Sequence, residues 1–272
     1  MQSTFRRFAT SIALCVSLTA PIEAHTLAVI LTKTQAPENS KATVYMAWGH
    51  LLPVDELVNA DDIASYRVHG PSGETKDLKL DPRSLQANEL VFEKPGVHQV
   101  EASRKTGVFT FVKKGDGKTA FMRVPKSEVK LEPGGSIVRS MRSQMYAKAI
   151  AICGEAGEKP AAALGHRLEI VPVTAPKNFL IDKPITMKVI ADGKPLADAE
   201  VRIACLRTHS DGSSTTQAKT DANGQFEFTP AETGLWMISV NHSEKATGED
   251  AKSFDTDSFV ATLTLGIEDV VE

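Results

Sequence analysis

The sequence predicts an all-β protein: two antiparallel β-sandwich domains in tandem behind a cleaved signal peptide. Three observations carry that reading. First, short runs in which apolar and polar residues alternate, bounded by Gly, Pro, Asn and Asp, recur along the chain: TVYMAWGH, IASYRVHG, VHQVEAS, VFTFVKK, ITMKVIA, AEVRIACL, GQFEFTP, LWMISVNH and FVATLTLGI. Period-two alternation turns one face of each run toward a core, and turn residues every roughly 8 to 12 positions are the pattern of antiparallel sandwiches. Second, sustained helical periodicity is nearly absent. The one candidate, SIVRSMRSQMYAKAIAIC (136–153), reads as a short helical turn followed by a strand. Third, GEAGEKPAAALG (154–165) is rich in Gly, Ala and Pro and has no alternation, so it is the expected linker between an N-terminal domain, 25–153, and a C-terminal domain, 166–272.

The first element in order is the signal peptide, residues 1–24. Arg6 and Arg7 lead into the apolar run FATSIALCVSLTA, and Ala24 closes the segment with uncharged Ile22 two positions earlier. Cleavage after Ala20 would place Pro21 next to the cut, so cleavage after Ala24 is expected, leaving His25 as the first residue. Cys15 follows Leu14 rather than a small residue and does not suit lipidation. The apolar run is shorter than the roughly 20 residues a membrane helix needs, so the mature chain is expected in the periplasm. Losing two Arg and one Glu takes the formal charge from −3 to −4, which argues against a nucleic-acid partner. With 42% hydrophobic residues the chain can bury cores rather than stay disordered.

Next come two runs, HTLAVIL and ATVYMAWGH, on either side of the turn-forming KTQAPENSK. Folded as a hairpin in its symmetric register, residues whose numbers sum to 75 oppose each other. Leu31 then faces Val44, Val29 faces Met46 and Leu27 faces Trp48, an apolar ladder whose next rung outward is His25 with His50. Directly opposed residues have Cβ atoms about 4.5–5.5 Å apart, close enough for two imidazoles to share one ion. A mature N-terminal His adds its α-amine in chelating position, and a metal can displace the protons of both nitrogens at modest cost. An amine and two imidazoles form a histidine-brace set of ligands.

The other histidines are weaker candidates. His209 lies in the polar turn THSDGSS, and His69 shares a face with Arg67 and Ser65, so both read as surface residues. His98 and His166 alternate with apolar residues and read as partly buried strand-end positions satisfied by hydrogen bonds. His242 ends LWMISVNH on the parity of Trp236, Ile238 and Val240, and would complete the metal site if that strand end packed against the first domain; a plain capping role is the alternative. Asp55 or Glu56 could also complete it. Trp48 and Trp236 both sit on apolar parity and are expected in the cores. Cys153 and Cys205 remain after processing and could join in an exported chain, although Cys205 also suits a small buried hydrophobe. No CxxC is present.

In the second half, DGKPLADAEVRI, TDANGQFEF and TGLWMISV alternate turns with strands in an order that resembles the immunoglobulin-like or transthyretin-like modules of exported bacterial proteins. Taken in order, the mature AH, WGHLLPVDE, YRVHGPSGE, KPGVHQVEAS, MYAKAIAI, LEIVPV, DGKPLADAEV, TDANGQFEF and GLWMISVNH make the whole mature chain similar to a periplasmic domain family associated with bacterial nickel and cobalt uptake, most of whose members have no assigned function. The resemblance implies two β-sandwich domains and a transition-metal role, with His25 and His50 at the positions of the family's N-terminal His and Gly-His motif. It departs from the family in reading HTLAVIL where acidic and aromatic residues commonly follow the His.

The expected function is therefore capture or delivery of a divalent transition metal (Ni²⁺, Co²⁺, Cu²⁺ or Zn²⁺) through His25, His50 and His242, with a membrane metal transporter or outer-membrane receptor as partner. A non-catalytic accessory module without metal is the first rival. A copper oxidase of the histidine-brace type is the second. Nucleophile and acid/base signatures are absent, so no enzyme is expected.

Overall fold

The computed structural model describes residues 25–50, 55–207 and 216–269; the signal-peptide segment and His209 lie outside them. Their principal strands are β1 (Thr26–Leu31), β2 (Ser40–Gly49), β3 (Ile63–His69), β4 (Asn88–Phe92), β5 (Gly96–Arg104), β6 (Gly107–Lys113), β7 (Thr119–Met122), β8 (Ser136–Cys153), β9 (Leu168–Pro172), β10 (Ile185–Ala191), β11 (Glu200–Cys205), β12 (Gln225–Phe228), β13 (Gly234–Lys245) and β14 (Thr256–Ile267). A four-residue helix, Asp250–Ser253, precedes β14. The chain is all-β.

Three layers organise these strands. A large sheet forms the middle, its path running β11–β13–β14–β8–β5–β3, with the β6–β7 hairpin joined to the first part of β8. The small sheet β1–β2–β4 and the core of Leu27, Val29, Val44, Met46, Phe92, Ala147, Ala149 and Ala151 cover part of one face. On the opposite face, the sheet of β9, β10 and β12 encloses Ile170, Met187, Val189, Phe226, Trp236, Ile238, Leu263 and Leu265. Strand parity explains the division. In β14, Phe259, Ala261, Leu263 and Leu265 point to the second core while Val260 points to the first, and FVATLTLGI is consequently buried along most of its length.

The two halves of the sequence are joined through this middle sheet as well as through residues 154–165. Strand β8 runs parallel to β14, from Met141 beside Thr256 to Ala149 beside Thr264. Antiparallel pairing alone was the expectation; this long-range parallel pair brings the C-terminal strand into the sheet of the N-terminal half. Two threonine hydroxyls of β14 fasten it further, Thr262 donating to the Leu27 carbonyl at 2.8 Å and Thr264 to that of Val29 at 2.5 Å.

Residues 136–153 correct the sequence reading, since they form one 18-residue strand with no helical turn. The helical turn is expected in the first half, SIVRSMRS, whose spacing suits a helix as well as a strand. Tertiary pairing overrides it, because β6, β14 and β5 all hydrogen-bond to this one strand. Cys153 and Cys205 are both free and fully buried, each in a different core, so the disulfide left open by the sequence is not formed. Trp236 is buried as expected, whereas Trp48 is only partly buried, at the rim of the first core.

Candidate functional site

Strands β1 and β2 pair in the anticipated register: Leu27 opposes Trp48, Val29 opposes Met46 and Leu31 opposes Val44. Slipping by one residue would turn every apolar partner away from the first core, so burial fixes the pairing. Thr26 opposes Gly49, and the ladder ends by bringing His25 against His50 with ring centroids 4.5 Å apart, edge to face. His25 also lies edge to face with Trp48, ring centroids 5.1 Å apart, and its Nε2 lies 3.4 Å from Glu56 Oε1. Glu56 is placed by its backbone N–H, which donates to the Trp48 carbonyl at 3.0 Å. The backbone N–H of exposed His50 donates to Asp55 Oδ2 at 2.8 Å.

Position 49 requires a glycine. Its φ of +126° belongs to the left-handed side of backbone space, and an added Cβ would fall 2.4 Å from Asp55 Oδ2. The missing side chain at position 49 therefore leaves room for the Asp55 carboxylate that accepts the His50 N–H.

Beside the two imidazoles lies a groove of about 290 Å³, lined among others by His25, Trp48, Glu56, Arg83, Arg104 and Arg123. Arg104 stacks over Trp48 at 4.1 Å and donates from Nη2 to Asp62 Oδ2 at 2.9 Å. Burial lowers the Arg104 pKa from its ordinary value; Asp62 opposes that shift and Arg123 adds to it. The alternation pattern marked none of Arg83, Arg104 or Arg123, because each is a charged residue at a strand end or turn where charge is ordinary.

His242 is not brought to this place. It opposes Phe259 across the β13–β14 ladder and stacks near that ring, with centroids 6.2 Å apart. Phe259 belongs to the second core, whereas Leu27 and Trp48 pack on the first, so His242 and the His25–His50 pair occupy opposite faces of the middle sheet. Its Nε2 meets Glu244 at 3.2 Å. Among the described residues no group of three or more His, Cys, Asp or Glu side chains is arranged to hold a metal ion. A metal at His25 and His50 would therefore need a ligand beyond these side chains.

Two other histidines are satisfied by the fold. His98 Nε2 lies 2.9 Å from the Lys94 carbonyl, and His166 Nε2 is hydrogen-bonded to Glu101, as their strand-end reading anticipated. His69 differs from its surface reading. Its ring is half-buried, with Nδ1 against Thr75 Oγ1 at 3.1 Å and Nε2 3.5 Å from Glu101. Burial pushes the Glu101 carboxyl up, but the hydrogen bond from His166 and the charges of His166 and His69 together outweigh it and hold the group below the usual carboxylate range. Because the folded-state value is depressed, this stabilisation is complete above the unfolded-state pKa of about 4.3 and is lost as pH falls through the folded value. Glu101→Gln should therefore lower the urea midpoint at neutral pH and flatten its decline in acid. An acid limb unchanged by the substitution would rule this out.

A family model described as a domain of unknown function (DUF4198) matches residues 22–244. No curated protein matches the chain. Solved structures similar to it include the D0-D1 domain of intimin, at 14% identity over 89% of this chain and 99% of that one with a TM-score of 0.23. A mutant Salmonella alpha-2-macroglobulin matches at 9% identity over 89% of this chain and 24% of its own, with a TM-score of 0.20. The three N-terminal domains of the bacteriophage RB49 highly immunogenic outer capsid protein match at 7% identity over 91% and 100%, with a TM-score of 0.22. Superpositions this loose carry no argument about what the chain does.

Proposed function

The chain belongs to the DUF4198 family of unknown function, and on that premise we propose that it is a periplasmic protein that captures or hands over a divalent late transition metal through His25 and His50. The observation that carries this reading is the approach of the two imidazoles to 4.5 Å at the open end of an apolar ladder. Removal of residues 1–24 would free the α-amine of His25, and that nitrogen supplies the third ligand which the side chains lack. Glu56, at 3.4 Å from His25 Nε2, is placed to hold the ring by a hydrogen bond or to contribute an oxygen. The metal would supply a cationic centre, and the chain's part is to orient two rings and an amine toward one point.

Nitrogen-rich ligation suits Ni²⁺, Cu²⁺ and Zn²⁺, and the general affinity order favours Cu²⁺. The resemblance to a nickel and cobalt uptake family is the only reason to single out Ni²⁺ or to name Co²⁺ as cargo. A membrane metal transporter or outer-membrane receptor is the partner such a role requires.

His50→Ala tests the site directly. The residue is exposed and lies beyond the buried rungs, so the substitution should leave the melting temperature of metal-free protein nearly unchanged. It should weaken metal binding at least tenfold, about 1.4 kcal/mol, in competitive titration. His242→Ala should leave affinity unchanged. Equal affinity of His50→Ala and the parent protein would favour the accessory module without metal.

A further inference from the structure

Away from the histidines, the β6–β7 hairpin and the first part of β8 form an arm with one unusual face. Phe111 opposes Phe121 in the β6–β7 ladder and Arg139 in the β6–β8 ladder, and Phe109 opposes Met141, so these side chains share a side. Phe121 stacks at 5.2 Å on Phe109 and lies 5.4 Å from Phe111; Arg139 covers Phe111 at 4.3 Å and Arg123 approaches Phe109 at 5.9 Å. The opposite side of the arm is closed. Thr110, Val112 and Ser140 are buried there, and the Thr110 hydroxyl donates to the Val124 carbonyl at 2.8 Å. The aromatic side is the outer one, and Phe121 is 50% exposed.

Charge distinguishes this arm from the rest of the molecule. Residues 107–142 hold eight Lys or Arg against three acidic residues, a net +5 within a chain of net −3. Lys118, Arg123, Lys126 and Arg142 have carboxylate neighbours, which leaves Lys113, Lys114, Lys130 and Arg139 without an ion pair among the described residues.

We propose that this Phe–Arg face docks on an anionic lipid bilayer. The three rings lack a polar tip, so they suit the boundary between headgroups and acyl chains, while the unpaired cations around them suit lipid phosphates. The remaining surface carries the compensating negative charge and is repelled, which orients the molecule arm-first. Arg123 also lines the groove beside His25, so docking would set the mouth of that groove near the membrane. Binding at this face needs no metal.

The test is co-sedimentation of the chain beginning at His25 with phosphatidylcholine vesicles, with and without phosphatidylglycerol, at low and high salt. Binding should require phosphatidylglycerol and weaken with salt. Arg139→Ala should reduce partitioning about fivefold, the effect of one surface cation. Phe121→Ser should reduce it about tenfold, since one exposed ring loses its apolar refuge. Both positions are exposed, so circular dichroism and melting should match the parent. Failure to bind at low salt would overturn the proposal, as would equal binding to both vesicle types or binding indifferent to both substitutions. Phe121-dependent dimers in sedimentation velocity without vesicle binding would overturn it in favour of a second copy of this chain.

Discussion

Glu169→Ala should destabilise the protein by about 3–5 kcal/mol, the cost of leaving a buried charge without its partner. Glu169, on β9, and Lys148, on β8, are both essentially inaccessible to water, and Lys148 Nζ donates to Glu169 Oε1 at 2.5 Å. The same carboxylate accepts the backbone N–H groups of Leu164 at 2.7 Å, Gly165 at 2.9 Å and His166 at 3.2 Å. One side chain thus anchors the end of the 154–165 segment to the middle sheet. Burial pushes the Glu169 carboxyl up, yet the Lys148 charge and these hydrogen bonds outweigh it and hold the group below its ordinary value. Burial likewise pushes the Lys148 ammonium down, against the pull of Glu169. Removing the carboxylate orphans an ammonium and three N–H groups together. Lys148→Met removes only one partner and leaves Glu169 with its three backbone donors, so it should cost less. In a domain stabilised by roughly 5–15 kcal/mol, Glu169→Ala should lower the melting temperature by about 10 °C or more. A loss under about 1 kcal/mol, or a larger loss for Lys148→Met, would show that the anchor is not there.

The His25–His50 end of the molecule was legible in the sequence because the parity of the larger apolar residues specifies strand register. Leu27, Val29 and Leu31 share one parity and Val44, Met46 and Trp48 another, and only one pairing puts all six on the first core, while Ala28, Ile30 and Ala47 between them pack on the other side against Met237. His242 misled for a related reason. Its parity correctly placed it with Trp236, Ile238 and Val240, but parity fixes a face within one strand and says nothing about which layer covers that face. The layer arrangement depends on β8 pairing in parallel with β14, 115 residues further along, and a pairing so distant leaves no local mark.

Buried charges were hidden for a different reason. Glu101 in VHQVEAS and Glu169 in HRLEIVPV occupy places where an alternating strand ordinarily shows a polar residue to water. Here that second face meets other elements, so the carboxylates are enclosed and partnered instead. Lys148 gave the one readable hint, as a lone charge inside YAKAIAIC, where both parities are otherwise apolar or aromatic. The helical turn expected at the start of 136–153 fails because that stretch is held as a strand by its pairing with β6, a tertiary contact that its own residues do not reveal.

Binding of one metal ion by the His25 amine and ring with His50 is a proposal. Its most direct measurement compares two proteins, one beginning at His25 and one keeping Ala24 in front of it, titrated with Ni²⁺, Co²⁺, Cu²⁺ and Zn²⁺. Keeping Ala24 converts the His25 amine into a peptide nitrogen, and acetylating the Ala24 amine stops it from chelating instead, while both imidazoles, the 4.5 Å approach and the apolar ladder stay in place. The protein beginning at His25 should bind at least one of these ions about 100-fold more tightly, near 2.7 kcal/mol. Equal affinity of the two proteins for all four ions would contradict it.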